Sequence, residues 1–116
     1  MPRILVLDDE PLISMLMEEW LTELGCETVG PASSVPSALG LIEGTAIDGA
    51  ILDVSLGDEE SYSVADALRE RGVPFAFATG RGANGVAVRF QDALIVLKPF
   101  DFEEVRAVIA KLLGAS

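Results

Sequence analysis

Four short apolar runs divide this chain, and a residue able to take part in chemistry follows each of them directly. The runs and the residues that follow them are 4–7 with Asp8 and Asp9, 50–52 with Asp53, 75–78 with Thr79, and 94–97 with Lys98. Short apolar runs of this kind are typical of strands buried on both faces of a sheet. If the strands are parallel neighbours, their carboxyl ends meet at one edge, where open α/β sheets bind ligands. The sequence therefore predicts one site built from four separate segments.

Helix-like stretches alternate with strands along all 116 residues. The pattern predicts strands at 3–7, 27–31, 49–53, 75–78 and 93–97, and helices at 11–24, 35–43, 63–71 and 102–113. Ser34 and Asp101 are predicted helix N-caps, the more polar second strand is placed at a sheet edge, and 57–60 is predicted to be an acidic loop. Such alternation implies right-handed crossovers around a parallel sheet. We expect an α/β fold, a (βα)5 flavodoxin-like sandwich with helices on both faces, in a single domain over residues 1–116 without an output domain.

Charge and composition exclude several classes of function. Eight Lys and Arg against 19 Asp and Glu give a net charge of −11, which repels a phosphate backbone, so we expect no nucleic-acid binding. The chain has no histidine, which removes histidine metal ligands and histidine acid–base chemistry. Its one cysteine, Cys26, cannot form an internal disulfide, and no apolar run approaches the ~20 residues of a membrane span. We therefore expect a cytoplasmic protein without a membrane partner.

Three carboxylates, those of Asp8, Asp9 and Asp53, are predicted to share the site. Within about 4–6 Å of one another they could not all ionise without compensation, which a divalent cation supplies. A cluster of oxygen ligands without histidine favours Mg²⁺ or Mn²⁺. Lys98 adds a positive charge for a phosphoryl group, and the Thr79 hydroxyl adds a hydrogen bond. An aspartate carboxylate can accept phosphoryl to give an acyl phosphate.

These residues together resemble the receiver domain of two-component response regulators. The motifs that carry the resemblance span essentially the whole chain and are Asp8-Asp9-Glu10, Asp53, Thr79 and Lys98-Pro99-Phe100. The resemblance implies a signalling domain, rather than an enzyme, that accepts phosphoryl from a kinase histidine onto Asp53 and loses it slowly to water. It would signal in a phosphorelay through protein–protein contacts or act as a phosphate sink.

The resemblance also assigns roles within the site. It implies that Asp9, Asp53 and the backbone carbonyl of Ser55 bind Mg²⁺, with Asp8 assisting through water. Thr79 and Lys98 would bind the phosphoryl oxygens. The peptide bond between Lys98 and the following proline is commonly cis in such domains.

A narrower resemblance lies in the motif Phe77-Ala78-Thr79-Gly80 and in residues 61–68. Both are similar to the short, stand-alone receivers that serve sensor kinases of the HWE or HisKA2 type. The resemblance implies that the partner is such a histidine kinase or a histidine phosphotransferase.

Three features concern how phosphorylation would become a signal. Ile95 stands three positions before Lys98, where most receivers carry an aromatic switch residue. Residues 80–90 are rich in glycine and β-branched residues, so we predict that this segment is mobile or only partly helical without phosphate and ordered by phosphorylation. Arg81, two residues after Thr79, is predicted to contact or gate the phosphate.

The start of the first helix allows two interpretations. Leu12, Met15 and Leu16 make it more apolar than one core-facing stripe requires. Core packing is the default. The alternative is a kinase-docking patch completed by Pro99 and Phe100, because receivers resembling this one dock through the first helix and the loop after the fifth strand.

Two other functions compete with the receiver hypothesis. Asp53-Val54-Ser55 begins like the signature of Mg²⁺-dependent aspartate-nucleophile phosphohydrolases, although Ser55 stands where that family needs a second aspartate. A degenerate receiver that binds partners without being phosphorylated is the other alternative.

Overall fold

A five-stranded parallel sheet forms the centre of the fold. The structure is a computed structural model that describes residues 1–57, 59–80 and 86–114. Its helices are α1 Pro11–Glu23, α2 Val35–Gly44, α3 Tyr62–Glu70 and α4 Phe102–Leu112. Its strands are β1 Arg3–Leu7, β2 Glu27–Ala32, β3 Gly49–Asp53, β4 Ser55–Leu56, β5 Glu59–Glu60, β6 Phe75–Thr79 and β7 Leu94–Leu97. The described helices are too short or too polar to cross a membrane.

The sheet has the order β2-β1-β3-β6-β7, so β2 lies at an edge as predicted. All four neighbouring pairs run parallel. Leu7 lies opposite Leu52, and Thr79 lies opposite Leu97. The residues that follow or end these strands therefore reach the same edge at nearly the same level.

The side chains of each strand alternate between two apolar layers. Leu5, Leu7 and Phe77 pack with buried residues of α2 and α3 on one face of the sheet. Ile4 and Val6 pack with buried residues of α1 and α4 on the other face. Because both faces are covered, the central strands are apolar throughout, which is why their sequences read as continuous runs.

Two helix starts are capped as predicted. The Ser34 side chain accepts a hydrogen bond from the backbone N–H of Ser37 at 3.3 Å, at the start of α2. Asp101 and Glu104 form a reciprocal capping box at the start of α4, each side chain accepting from the other residue's backbone N–H.

The predicted acidic loop at 57–60 is wrong in part, because Glu59–Glu60 pairs with Ser55–Leu56 as a short antiparallel ladder. The Ser61 N–H donates to the Val54 carbonyl oxygen at 3.0 Å and closes the base of this hairpin. Gly57 adopts a φ of +66° in its turn, a conformation that glycine reaches without a steric penalty. Asp58 lies outside the described residues.

The connection between β6 and β7 contains a 3-10 turn at Val88–Phe90 and no α-helix among its described residues. Phe90 is fully buried and stacks on Tyr62 with ring centroids 5.5 Å apart. The Tyr62 hydroxyl oxygen accepts a hydrogen bond from the Ala87 N–H at 2.8 Å. The later part of the connection is thus held against α3, while residues 81–85 of the predicted mobile segment lie outside the described residues.

Candidate functional site

A cavity of about 520 Å³ opens at the carboxyl edge of the sheet. Its lining contains most of the predicted site residues and is formed by Asp9, Glu10, Asp53, Val54, Ser55, Glu60, Thr79, Gly80 and Lys98. Asp8 is buried beside it and contacts Lys98. The parallel strands therefore bring the four separate segments together, as their order in the sequence predicts.

Lys98 lies at the centre of the charged groups. Its Nζ is 3.3 Å from Asp53 Oδ1, 3.5 Å from Asp8 Oδ2 and 3.7 Å from Glu10 Oε1. The Lys98 side chain is only 21% exposed, so its ammonium is partly desolvated among these carboxylates. One cation thus faces three anions from two different segments.

Asp8 is fixed by the backbone around it. Its Oδ1 accepts a hydrogen bond from the Glu10 N–H at 2.9 Å. Its own N–H donates to the Ala32 carbonyl at the end of β2, at 3.0 Å. The buried Ser14 hydroxyl donates to the Asp8 carbonyl at 3.4 Å. These bonds hold the turn between β1 and α1, and with it the position of the carboxylate.

Burial and mutual repulsion raise the pKa of the site carboxyls. Burial is the largest cause for Asp53 and repulsion by Asp8 adds to it, so its pKa rises to about 6 even though Lys98 opposes the shift. Burial also raises the pKa of Asp8. Burial alone would lower the pKa of Lys98, but Asp8 and Asp53 outweigh it and the pKa is raised. The cluster carries more negative charge than one ammonium can balance.

Carboxylate oxygens of Asp8, Asp9, Glu10 and Asp53 lie within 4.8 Å of one another. Two of these residues are buried and two are exposed to the cavity. Oxygen ligands from one or two carboxylates, with water and phosphate oxygens completing the shell, suit Mg²⁺. The donor set and its uncompensated charge therefore fit a hard divalent cation.

The backbone ties the ends of β6 and β7 together beside the cavity. The Lys98 N–H donates to the Thr79 carbonyl at 2.8 Å. The Lys98–Pro99 peptide bond is cis, which confirms the geometry implied by the family resemblance. Ile95 lies opposite Phe77 and packs, partly buried, against the apolar layer of α2 and α3. Arg81 lies outside the described residues.

The default interpretation of Leu12, Met15 and Leu16 as core residues is wrong, because they are 73%, 54% and 42% exposed. The buried stripe of α1 is formed by Ser14, Met17 and Leu21 instead. Of the three exposed residues, Leu16 lines a groove of about 480 Å³ between α1 and the segment after β7. This groove is lined by Glu10, Ile13, Leu16, Trp20, Lys98, Pro99 and Phe100.

Sequence reasoning did not assign a role to Glu10, and it placed Glu60 in the predicted acidic loop at 57–60. Glu10 contacts Lys98, and both glutamates line the site cavity. The signal for Glu10 was its position directly after the two aspartates. Glu60 gave no such signal, since it reaches the cavity through a hairpin of two-residue strands.

The chain matches the family model of the response regulator receiver domain over residues 4–110. It therefore belongs to the response regulator receiver domain family, a family of signalling domains in two-component systems. The match does not favour the phosphohydrolase alternative.

Several named proteins are similar over nearly the whole chain. The phyllosphere-induced regulator PhyR of Methylorubrum extorquens is 33% identical over 115 residues, which cover 96% of this chain and 43% of PhyR. The solution structure of SdrG from Sphingomonas melonis Fr1 has a TM-score of 0.82 and 44% identity, covering 99% of this chain and 95% of that one. The response regulator TrrA of Thermotoga maritima, solved in complex with Mg²⁺-BeF, has a TM-score of 0.84 and 31% identity, covering 97% and 100%. The chain spans about half the length of the curated relatives it matches.

Proposed function

We propose that this chain acts as a receiver domain of a phosphorelay and accepts phosphoryl on Asp53. One observation carries the proposal: the Lys98 ammonium lies 3.3 Å from the Asp53 carboxylate at the floor of an open cavity. A nucleophile beside a fixed cation suits transfer of an anionic group, because positioning and electrostatic stabilisation supply most of the catalysis.

The transfer proceeds from a phosphohistidine of the donor protein. A carboxylate oxygen of Asp53 attacks phosphorus and forms a P–O bond, while the P–N bond breaks and its electron pair returns to the imidazole. Lys98 and the Thr79 hydroxyl bind the phosphoryl oxygens. Water later cleaves the acyl phosphate and regenerates the carboxylate, so the domain is a signalling acceptor rather than an enzyme acting on an external substrate.

Mg²⁺, or Mn²⁺ in its place, would be held by Asp9, Asp53 and the backbone carbonyl of Ser55, with Asp8 assisting through water. The clustered carboxylate oxygens support this assignment. When bound, the cation supplies the positive charge that Lys98 alone does not. Arg81 and Ile95 are proposed modulators of the phosphate lifetime and of the switch.

The proposed donor is a histidine kinase of the HWE or HisKA2 type, or a histidine phosphotransferase. Its helical surface would dock on Leu12, Met15 and Leu16, and in the groove formed with Pro99 and Phe100. The exposure of these apolar residues supports docking. Because the groove shares Lys98 with the site cavity, a partner seated there can bring its phosphohistidine to Asp53. We place this exchange in the cytoplasm, with neither nucleic acid nor membrane as a partner. The phosphorylated domain would signal by binding another protein or would act as a phosphate sink.

Beryllofluoride, a phosphoryl mimic, tests the proposal in ¹⁵N-labelled protein. With Mg²⁺ it should shift the amide signals of Asp53, Thr79 and Lys98, and Mg²⁺ with fluoride alone should not reproduce the full pattern. Asp53→Asn should abolish the beryllofluoride-dependent shifts. Absence of such shifts in the wild type, or their persistence in the variant, would refute the assignment.

A further inference from the structure

Glu10 stands at the boundary between two cavities. The site cavity and the groove beside α1 share two described lining residues, Glu10 and Lys98. Glu10 Oε1 lies 3.7 Å from Lys98 Nζ, and the Glu10 side chain is 62% exposed. This ion pair therefore forms part of the wall between the two cavities.

The position of Glu10 has an electrostatic consequence for any phosphodonor. Asp9, Asp53 and Glu60 also line the site cavity, and Lys98 is the one cation among its described lining residues. A free dianionic donor adds two negative charges to this surface. Glu10 repels such a donor and also competes with it for the Lys98 ammonium.

We propose that Glu10 is a specificity-determining residue that slows phosphorylation by small dianionic phosphodonors. Glu10 acts on the approach of the donor to the cavity and on the availability of Lys98, and it takes no part in breaking or forming bonds. In the transfer itself the donor's bond to phosphorus breaks, its electron pair leaves with the leaving group, and a P–O bond to Asp53 forms. This inference rests on the proposed function.

Two donors of different charge test the inference. Acetyl phosphate is a dianion near neutral pH, whereas phosphoramidate carries a protonated amine and has a lower net negative charge. Phosphorylation rates at saturating Mg²⁺ are followed by intact mass for the wild type, Glu10→Gln and Glu60→Gln. Glu60→Gln is the matched control because it removes the same charge from the same cavity, and no described ion pair joins Glu60 to Lys98.

Glu10→Gln should raise the acetyl phosphate rate roughly two- to fivefold, the range expected for a partly exposed charge pair. The gain with phosphoramidate should be smaller, and Glu60→Gln should give a smaller gain with acetyl phosphate than Glu10→Gln. Equal gains with both donors, or equal gains in both variants, would overturn the inference. If neither donor phosphorylates the wild type, the proposed function is refuted. If the wild type is phosphorylated and Glu10→Gln reacts at the same rate, only the role of Glu10 is refuted.

Metal affinity provides an independent readout through Trp20, the one tryptophan in the sequence, which lines the groove beside Glu10. Titration of Trp20 fluorescence with Mg²⁺ should give Glu10→Gln an affinity equal to or weaker than that of the wild type, since a carboxylate is removed. A tighter affinity would overturn the inference, because Glu10 would then act on the bound cation rather than on the donor and Lys98.

Discussion

Lys98 Nζ lies 3.3 Å from Asp53 Oδ1, although β6 separates the two strands that lead to these residues. The lysine reaches over the end of the middle strand, where Thr79 also lines the cavity. The contact lowers the pKa of Asp53, yet burial and Asp8 still hold that pKa at about 6. Without a metal, the site is therefore stabilised by protonation of its proposed acceptor.

The raised pKa of Asp53 predicts that the metal-free protein loses stability as pH rises through about 4 to 6. The folded state binds the proton more tightly than the unfolded chain, whose reference pKa is 3.8, so this contribution is present at low pH and lost above the folded pKa. Asp53→Asn removes the effect and should be more stable than the wild type near neutral pH by on the order of 2 kcal/mol.

Urea unfolding in EDTA at acid and neutral pH measures this difference. The advantage of Asp53→Asn should shrink as pH falls toward 4 and vanish by about pH 3, below both pKa values, where the wild-type carboxyl is protonated in the folded and the unfolded state. Glu19→Gln, an exposed change on α1, serves as the control. Parallel stability curves for wild type and Asp53→Asn would contradict the raised pKa.

Replacement of Lys98 by methionine should slow phosphorylation by a small donor about 100-fold, as expected for loss of a group that stabilises developing charge. The buried Asp8 and Asp53 would also lose their shared cation, so the pKa of Asp53 should rise further. Single-turnover mass measurements and NMR titration of the carboxyl carbon check the two effects. A rate within a few-fold of wild type would exclude the proposed role of Lys98.

The Tyr62 hydroxyl accepts a hydrogen bond from the Ala87 N–H and so helps to hold the segment before β7. Tyr62→Phe keeps the ring stacking on Phe90 but removes this acceptor, at a cost of about 1–2 kcal/mol in local stability. Amide exchange at Ala87 should therefore accelerate. Unchanged exchange at Ala87 in Tyr62→Phe would show that this hydrogen bond does not limit local opening.

The same exchange experiment tests the predicted mobility of residues 80–90, and phosphorylation should slow amide exchange there.

The exposed apolar residues of α1 should matter for protein donors and not for small ones. Leu12→Ser with Met15→Ser should lower transfer from a cognate histidine kinase by about tenfold or more, the effect expected at an apolar contact centre. Acetyl phosphate should modify the double variant at the wild-type rate. Val88→Ser is the control, since Val88 is also exposed but lies on the connection before β7. An equal loss in the control would argue against a docking surface on α1.

The sheet and the convergence of the predicted site residues could both be inferred from the sequence. Buried parallel strands read as apolar runs, and their common edge brings Asp53 and Lys98 together without further information. The hairpin that brings Glu60 to the cavity was missed because two-residue strands have no periodicity to detect. The default interpretation wrongly placed Leu12 and Met15 in the core, because an apolar stripe does not reveal how much of it the sheet can cover. Packing of Phe90 on Tyr62 is a long-range contact that no local pattern indicates.

Asp53 is the proposed phosphoryl acceptor, and intact-mass analysis after incubation with acetyl phosphate and Mg²⁺ detects the modification itself. We expect a mass gain of one phosphoryl group in the wild type, its loss on mild alkaline or hydroxylamine treatment as for an acyl phosphate, and no gain in Asp53→Asn. No gain in the wild type, or an equal gain in Asp53→Asn, would contradict this assignment.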